Sequence, residues 1–464
     1  MKLGLGLDVR KASAPAFKGL LDKFTGAVAA YSTRKLTASH PNILPADYGD
    51  GAAAAYSLRK VKASYSGNCI DVRRSSDDTT SSIGFSGNEL DTTALTTFVG
   101  AQNLIYPSED FGGASWTKQT GITATSNTSE TTDPFGGSGA AKIVSTDATK
   151  GFYIGGLIFP TSSDLIRSIY LKGAVGGETV TLKDPSGYGD STVVTLTTEW
   201  QRFTHSTSAG ITDAQGIFVD NIPVGTIYAF GAQCNEGTTA ATYNKTTTGI
   251  GGDGFVTKWY DQSGNENDAV DATQATDNDQ PQIVDAGSTI LENGKPAIQF
   301  DGVDDVLVNS SYSYTGTDIP FSIIYSGSFV NDAANQRMVV LGTSSTSFSA
   351  INGLSSTVTF NGSSGGGDNK NQTLATGTFN GTQHLIEIYS NGTTGTGALD
   401  GSAVSLDTDY VNAMNYSGIC IGGFPTFSFS DMKGQEIIIF ESDQSSNRTG
   451  IESNINDHFD IYTP

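Results

Sequence analysis

From about residue 255 to the C-terminus, short apolar runs alternate with turn dipeptides such as Asn293-Gly294, Asp301-Gly302, Asn361-Gly362, Asn391-Gly392 and Asp400-Gly401. Such pairs favour the positive backbone angles of tight hairpins. The runs between them fall at 255–260, 297–300, 321–325, 338–341, 385–389, 419–421 and 436–440. A chain interrupted this often has no room for long helices and predicts a β-sandwich. The 56 glycines and a charged fraction of only 16% point the same way.

Upstream, Ile70 and Val72 alternate before a polar turn region at 75–82, another strand signal. Helical periodicity is confined to the ends. Ser13 and Pro15 form a start signal, Phe17, Leu20, Leu21 and Phe24 recur at helical spacing, and Gly26 is placed as a stop. The segment 30–39 is echoed 25 residues later at 55–64, where Ala54, Leu58, Val61 and Tyr65 predict a second short amphipathic helix. Near the C-terminus Ile451, Ile455, Phe459 and Tyr462 follow a Ser445-Ser446-Asn447 start, which predicts a short helix capping one sheet.

Residues 102–249 read as a unit of their own, with strands around 166–171, 193–196, 200–203 and 227–230 and soft ends at Gly100-Ala101 and 246–249. A whole unit is tolerated at a loop tip when its two ends emerge close together. The predicted organisation is therefore threefold. A helical anchoring or assembly segment spans 1–52, a discontinuous sandwich is built from 53–101 plus 250–464, and a second sandwich is inserted at 102–249.

Charge excludes some functions. With 26 Lys and Arg against 48 Asp and Glu the net charge is -22, whereas a nucleic-acid binder needs clustered cations to displace counterions from phosphates. Anionic lipid is disfavoured for the same reason. No apolar run approaches the roughly 18 residues of a membrane span, and the apolar patch near Met1 is too short for a signal-peptide core, so synthesis in a cytoplasm is expected. Cys69, Cys234 and Cys420 give neither a disulfide framework nor a zinc pattern.

Several residue groups offer chemistry. Asp261 and Asn265 in the Asp261-Gln262-Ser263-Gly264-Asn265 turn, with Asp301, Asp304 and Asp305, supply oxygens of the kind a structural Ca²⁺ takes, although Asp, Asn and Gly are also ordinary turn formers. Trp116, Trp200 and Trp259 offer faces for stacking on sugar rings, or are core residues. His40, His205, His384 and His458 show no metal spacing, and there is no nucleophile elbow, phosphate loop or dinucleotide fingerprint.

The segments Ala55-Tyr56-Ser57-Leu58-Arg59, Ile70-Asp71-Val72-Arg73-Arg74-Ser75-Ser76-Asp77, Ile83-Gly84-Phe85 and the 255–265 run containing Trp259-Tyr260-Asp261-Gln262-Ser263-Gly264 carry a family likeness. They resemble the concanavalin A-like catalytic domain of α-L-arabinofuranosidase B, a signature that is similar to many bacteriophage virion proteins. The resemblance covers 53–101 and 250–300; beyond that only a laminin-G-like pattern continues, at Phe300-Asp301-Gly302, 384–392, 418–423 and 434–440. The 102–249 unit resembles the carbohydrate-binding jelly rolls of the same phage proteins through 103–111, Trp200-Gln201-Arg202-Phe203 and 231–237.

The resemblance implies a concanavalin A-like sandwich interrupted by a jelly roll. It also implies where a retaining glycosidase would keep its two carboxyl groups, about 5 Å apart. The acid is expected after a Gly-Gly pair, at Gly422-Gly423-Phe424, and Phe424 cannot transfer a proton. The nucleophile is expected at Glu387, the only glutamate between Asp301 and Asp431, in a strand free to face solvent. The expectation is therefore a phage virion protein of the exterior, a tail or head fibre that adheres to host-surface glycans without catalysis and needs no cofactor. Its partners are other virion proteins and sister chains, as a trimer, with neither nucleic acid nor membrane insertion. A hydrolase or depolymerase of arabinofuranosidase type, and a purely architectural decoration protein, are the alternatives.

Overall fold

Strands dominate because the apolar runs are short, β-branched and bounded by residues that accept positive φ. The hairpin joining Thr394–Leu399 to Ser402–Asp407 turns at Asp400 and Gly401, with φ of 48° and 77°. The computed structural model describes residues 51–463 except 63, 156, 158–162, 186–190, 209–215, 248, 264–270, 331–335, 355, 366–367, 378, 380 and 411. The helix expected at 13–26, the first repeat copy, His40 and nearly all of the 1–52 segment lie outside the described residues.

The larger sandwich has two layers. One runs in spatial order Ala54–Ser57, Asp431–Phe440, Phe321–Phe329, Gln383–Ser390, Thr394–Leu399, Ser402–Asp407. The other runs Leu307–Asn309, Ile419–Ile421, Gln336–Ser344, Ser347–Leu354, Thr357–Ser363, Asn369–Thr376. Strands including Ile70–Arg74, Gly254–Trp259, Gln282–Asp285 and Ile298–Asp301 join the layers at one end. Ile437 and Ile439 point into the central core, while Ile438 and Phe440 point outward under the C-terminal helix Arg448–Phe459, which presents Ile451, Ile455 and Phe459. With both faces covered, Phe321–Phe329 is buried at every position, so apolar and polar residues do not alternate along it.

Two sequence expectations fail here. The second repeat copy does not begin as a helix: Ala54–Ser57 is a strand paired with Glu436–Ile439. Its residues are apolar on both sides because Ala54 and Tyr56 face the central core while Ala55 faces the terminal helix, and such a run mimics helical spacing. Asn361-Gly362 is not a turn but lies inside Thr357–Ser363, where a side chain at 362 would collide with the Tyr410 hydroxyl. One helix was not expected. Thr92–Val99 starts at Asp91, whose carboxylate accepts the Ala94 N–H at 2.9 Å, and buries Leu95 and Val99.

Between Asn103 and Gly251 the chain builds a smaller sandwich with its own core. One five-stranded sheet has the order Gln201–Thr207, Leu165–Gly173, Gly225–Glu236, Ala141–Ser145, Ile122–Thr125. The other has Thr192–Thr195, Thr179–Lys183, Ile217–Asp220, Phe152–Ile154, Trp116–Lys118. Entry and exit lie side by side: the Asn103 N–H donates to the Gly251 carbonyl at 3.0 Å and the Gly251 N–H returns a bond of 2.9 Å. The Asn103 side chain ties this junction to the smaller sandwich, donating to the carbonyls of Ala232 and Asn244 and accepting from the N–H groups of Ile105 and Cys234.

Each sandwich contains a buried arginine–carboxylate pair. In the smaller one Arg167, fully buried between the sheets, reaches Asp184 at 3.0 Å and also donates to Thr207 and the Gly216 carbonyl. In the larger one Arg59 holds Glu436 through two nitrogens at 2.7 and 2.9 Å and reaches Asn454 of the terminal helix at 2.8 Å. Among the described residues no helix is long and apolar enough to cross a membrane.

Candidate functional site

Strand alternation in the smaller sandwich sends Ile169, Leu171, Ile227 and Ala229 into the core and the residues between them to the opposite face. Register then assembles that outer face. Tyr170 lies opposite Arg202 on one neighbouring strand and Phe230 on the other. One step along, Lys172 lies opposite Tyr228, which lies opposite Lys142. Cross-strand neighbours of this kind are close enough for their side chains to touch, and the Arg202 guanidinium sits 5.5 Å over the Tyr170 ring.

The loop 126–140 crosses this face and is shaped by Asp133. Burial alone would raise that carboxyl, but N–H groups of Phe135, Gly137 and Gly139 at 2.9–3.0 Å hold it below its ordinary value. Along the loop Glu130 takes Lys142 at 2.5 Å and the Tyr228 hydroxyl at 3.0 Å, Thr131 takes Lys172 at 3.0 Å, and the Thr132 carbonyl takes the Trp200 indole N–H at 2.8 Å. At its tip Phe135 is 67% exposed, an unusual position for a phenyl ring.

Phe135 does not stand alone. It meets Tyr170 at 5.7 Å and Phe230 at 5.9 Å edge-on and stacks on Tyr243 at 6.3 Å, 11° from parallel. The Tyr243 hydroxyl donates to Glu109 at 2.9 Å, Lys245 holds the second Glu109 oxygen at 2.7 Å, and burial raises the Tyr243 pKa. Glu109, Asp110, Ser126, Asn127 and Lys245 line an open polar cleft beside this tyrosine. The result is a cluster of π faces with hydrogen-bonding groups at its border. That combination suits a sugar, which offers C–H bonds on its ring faces and hydroxyls around its rim.

Of the three tryptophans that offered either stacking faces or core residues, only Trp200 borders this face. Trp116 is a correction: it is 1% exposed, packs on Phe111 and Phe152 with centroids at 4.6 and 5.8 Å, and gives its N–H to the Pro107 carbonyl. Trp259 is another, wholly buried in the larger core 6.1 Å from Tyr56. Both are large apolar rings in strands whose inner face is sealed. Phe135, Tyr170, Phe230 and Tyr243 were missed because they come from four separate segments. The available signal was alternation, with Ile169 and Leu171 flanking Tyr170 and with Tyr228 and Phe230 on either side of Ala229.

The acidic expectation divides. Asp301, Asp304 and Asp305 bring ligand oxygens within 4.8 Å of one another. Asp301 already accepts the N–H groups of Val303 and Asp304, and Asp305 accepts that of Asp301 at 2.9 Å. Burial first, then the charges of Asp301, Asp304 and Asp279, push the Asp305 carboxyl up to about 7. Asp261 does not join them; it closes its own turn, accepting from Ala55 at 2.6 Å and from the Ser263 hydroxyl at 2.6 Å. Asn265 lies outside the described residues.

Phe424 is fully buried, with Phe427 at 4.6 Å, Phe348 at 5.3 Å and the Arg337 guanidinium 4.9 Å over its ring. Glu387, the place expected for a nucleophile on a strand that could equally have turned it to solvent, does neither. Its side chain lies on the helix-covered side of the sheet, wholly buried, with the Tyr389 hydroxyl donating to it at 2.7 Å. Burial, reinforced by Glu452, raises its pKa well above the carboxylate range. A substrate cannot reach it there.

No family model and no curated protein matches the chain. Among solved structures, a GH54 α-L-arabinofuranosidase soaked with a cyclic sulfate inhibitor is 13% identical, with a TM-score of 0.42 over 87% of this chain and 62% of that one. The chain thus spans about three fifths of that enzyme's length. Domains LG4-5 of the mouse laminin α1 chain are 12% identical over 61% of this chain and 83% of theirs, at a TM-score of 0.22. The enzymatically active domain of tailspike protein 4 of bacteriophage CBA120 is 14% identical over 29% of this chain and 21% of that one, at 0.23. These scores are too low to carry a functional argument.

Proposed function

We propose that this chain is a glycan-binding adhesin of a bacteriophage virion exterior, which holds saccharides on the outer face of its smaller sandwich and does not cleave them. The observation that carries the reading is Phe135, displayed to solvent on a cluster formed with Tyr170, Phe230 and Tyr243 beside a polar cleft. The sequence likeness to phage virion proteins supports the setting, and the burial of Phe424 and Glu387 supports binding over hydrolysis. Residues 1–52 would anchor the chain to the particle and to sister chains in a trimer, so that individually weak contacts sum through many copies.

The test is a titration of the full chain against a panel of soluble polysaccharides by isothermal titration calorimetry. At least one should bind, and Phe135→Ala combined with Tyr170→Ala should remove that binding while leaving the folded spectrum unchanged. Failure to bind any member, or binding indifferent to both substitutions, would overturn the reading.

A further inference from the structure

Cations are scarce in a chain of net charge -22, and in the smaller sandwich several of them are committed to carboxylates. Lys142 pairs with Glu130, Arg167 with Asp184, Lys183 with Asp220 and Lys245 with Glu109. Two on the aromatic face are not. Lys172 donates to the Thr131 hydroxyl at 3.0 Å, and Arg202 donates from one terminal nitrogen to the Ser168 hydroxyl at 2.8 Å. Neither makes an ion pair among the described residues, and the Arg202 Nε is buried without a hydrogen-bond acceptor.

Their placement is set by register. Arg202 lies directly opposite Tyr170, and Lys172 lies two residues beyond Tyr170 on the same strand and face. The two cations are thus diagonal neighbours flanking one aromatic ring, within the reach of long side chains. Stacking on Tyr170 fixes the plane of the guanidinium, which leaves it ready for two-point contact with a carboxylate or sulfate. The acidic groups of the loop on this face are engaged elsewhere: Glu130 is taken by Lys142 and the Tyr228 hydroxyl, and Asp133 by the N–H groups of Phe135, Gly137 and Gly139. Glu109 is held by Lys245 on the Tyr243 side.

Resting on the glycan-binding reading above, we infer that the ligand is an acidic saccharide whose anionic group sits between Arg202 and Lys172 while a neighbouring ring lies against the Phe135 cluster. The acidic remainder of the surface repels such a polymer and confines contact to this face.

The experiment uses the full-length protein and matched probes: polygalacturonate, alginate and hyaluronate, each alongside its carboxyl-reduced, neutral counterpart, titrated by calorimetry. At least one acidic polymer should bind, weaken about tenfold or more on carboxyl reduction, and weaken further as NaCl is raised. Lys172→Gln and Arg202→Gln should each lower affinity for the acidic form by a larger factor than for the neutral form; Lys172→Gln serves alone if the half-buried Arg202 proves necessary for folding. Binding that is equal for acidic and reduced polymers, or insensitive to both substitutions, would overturn the inference and leave glycan binding standing. No binding to any polymer, acidic or neutral, would overturn both.

Discussion

The two sandwiches solve the same packing problem and part company at their outer faces. Both close a core between two sheets and both bury one arginine–carboxylate pair, Arg59–Glu436 in the larger and Arg167–Asp184 in the smaller. The larger lays a helix over one outer face, so that Ile324, Leu385, Ile438 and Phe440 are sealed by Ile451, Ile455 and Phe459. The smaller leaves its corresponding face to Tyr170, Lys172, Arg202 and Tyr228, all half-buried under a single loop. A sheet face covered by its own chain contributes cohesion, and one left open is available for recognition.

The sharpest way to break this comparison is to remove one buried arginine. Arg167→Ala removes the cation paired with the buried Asp184 and should cost about 3–5 kcal/mol, seen in chemical denaturation as an early transition of the smaller sandwich with the larger unaffected. A single merged transition would show that the two do not fold separately. Next in size, Ile455→Ala should loosen the terminal helix and cost about 2–5 kcal/mol, this time in the larger sandwich and without effect on ligand binding.

Phe135→Ala inverts the pattern. An exposed side chain contributes little to stability, so unfolding should shift by no more than about 0.5 kcal/mol, while saccharide affinity falls about tenfold in calorimetry. The smallest effect is expected at Asp305. Its carboxyl is raised from the ordinary carboxylate range to about 7, so the stability it contributes is complete below about pH 4 and is lost as pH rises through 7. Asp305→Asn should flatten that decline and raise the neutral-pH melting temperature of the larger sandwich by about 2 °C; an unchanged pH profile would place the charge in solvent.

Much of this architecture is legible in the chain. The run at 419–421 coincides with an observed strand, and the strands at 321–329, 383–390 and 431–440 contain the runs expected there. The terminal helix follows from the spacing of Ile451, Ile455 and Phe459. What misleads is any segment buried on two sides. Ala54–Ser57 loses its alternation between a core and a helix, and reads as helical until the neighbouring strand is known. The aromatic face was hidden for another reason. Trp116 and Trp259 are the conspicuous aromatics and serve the cores, whereas Phe135, Tyr170, Phe230 and Tyr243 meet only through register and a loop bent around Asp133. Arg167 gave no sign of being internal, since its partner Asp184 lies just past the end of Thr179–Lys183 in the opposite sheet.

The paired crossing at Asn103 and Gly251 has a mechanical meaning. Both connections of the smaller sandwich pass through this one crossing into the larger body, so a pull on its aromatic face loads the two of them together. Tension enters the larger body through the helix Thr92–Val99 and the strand Gly254–Trp259 at once. The Thr247 N–H bonded to the Ser76 carbonyl and the Ser75 hydroxyl bonded to the Ile250 carbonyl carry it to the end of the strand Ile70–Arg74, which is paired on both sides. Rungs that must break together yield far later than rungs opened one by one.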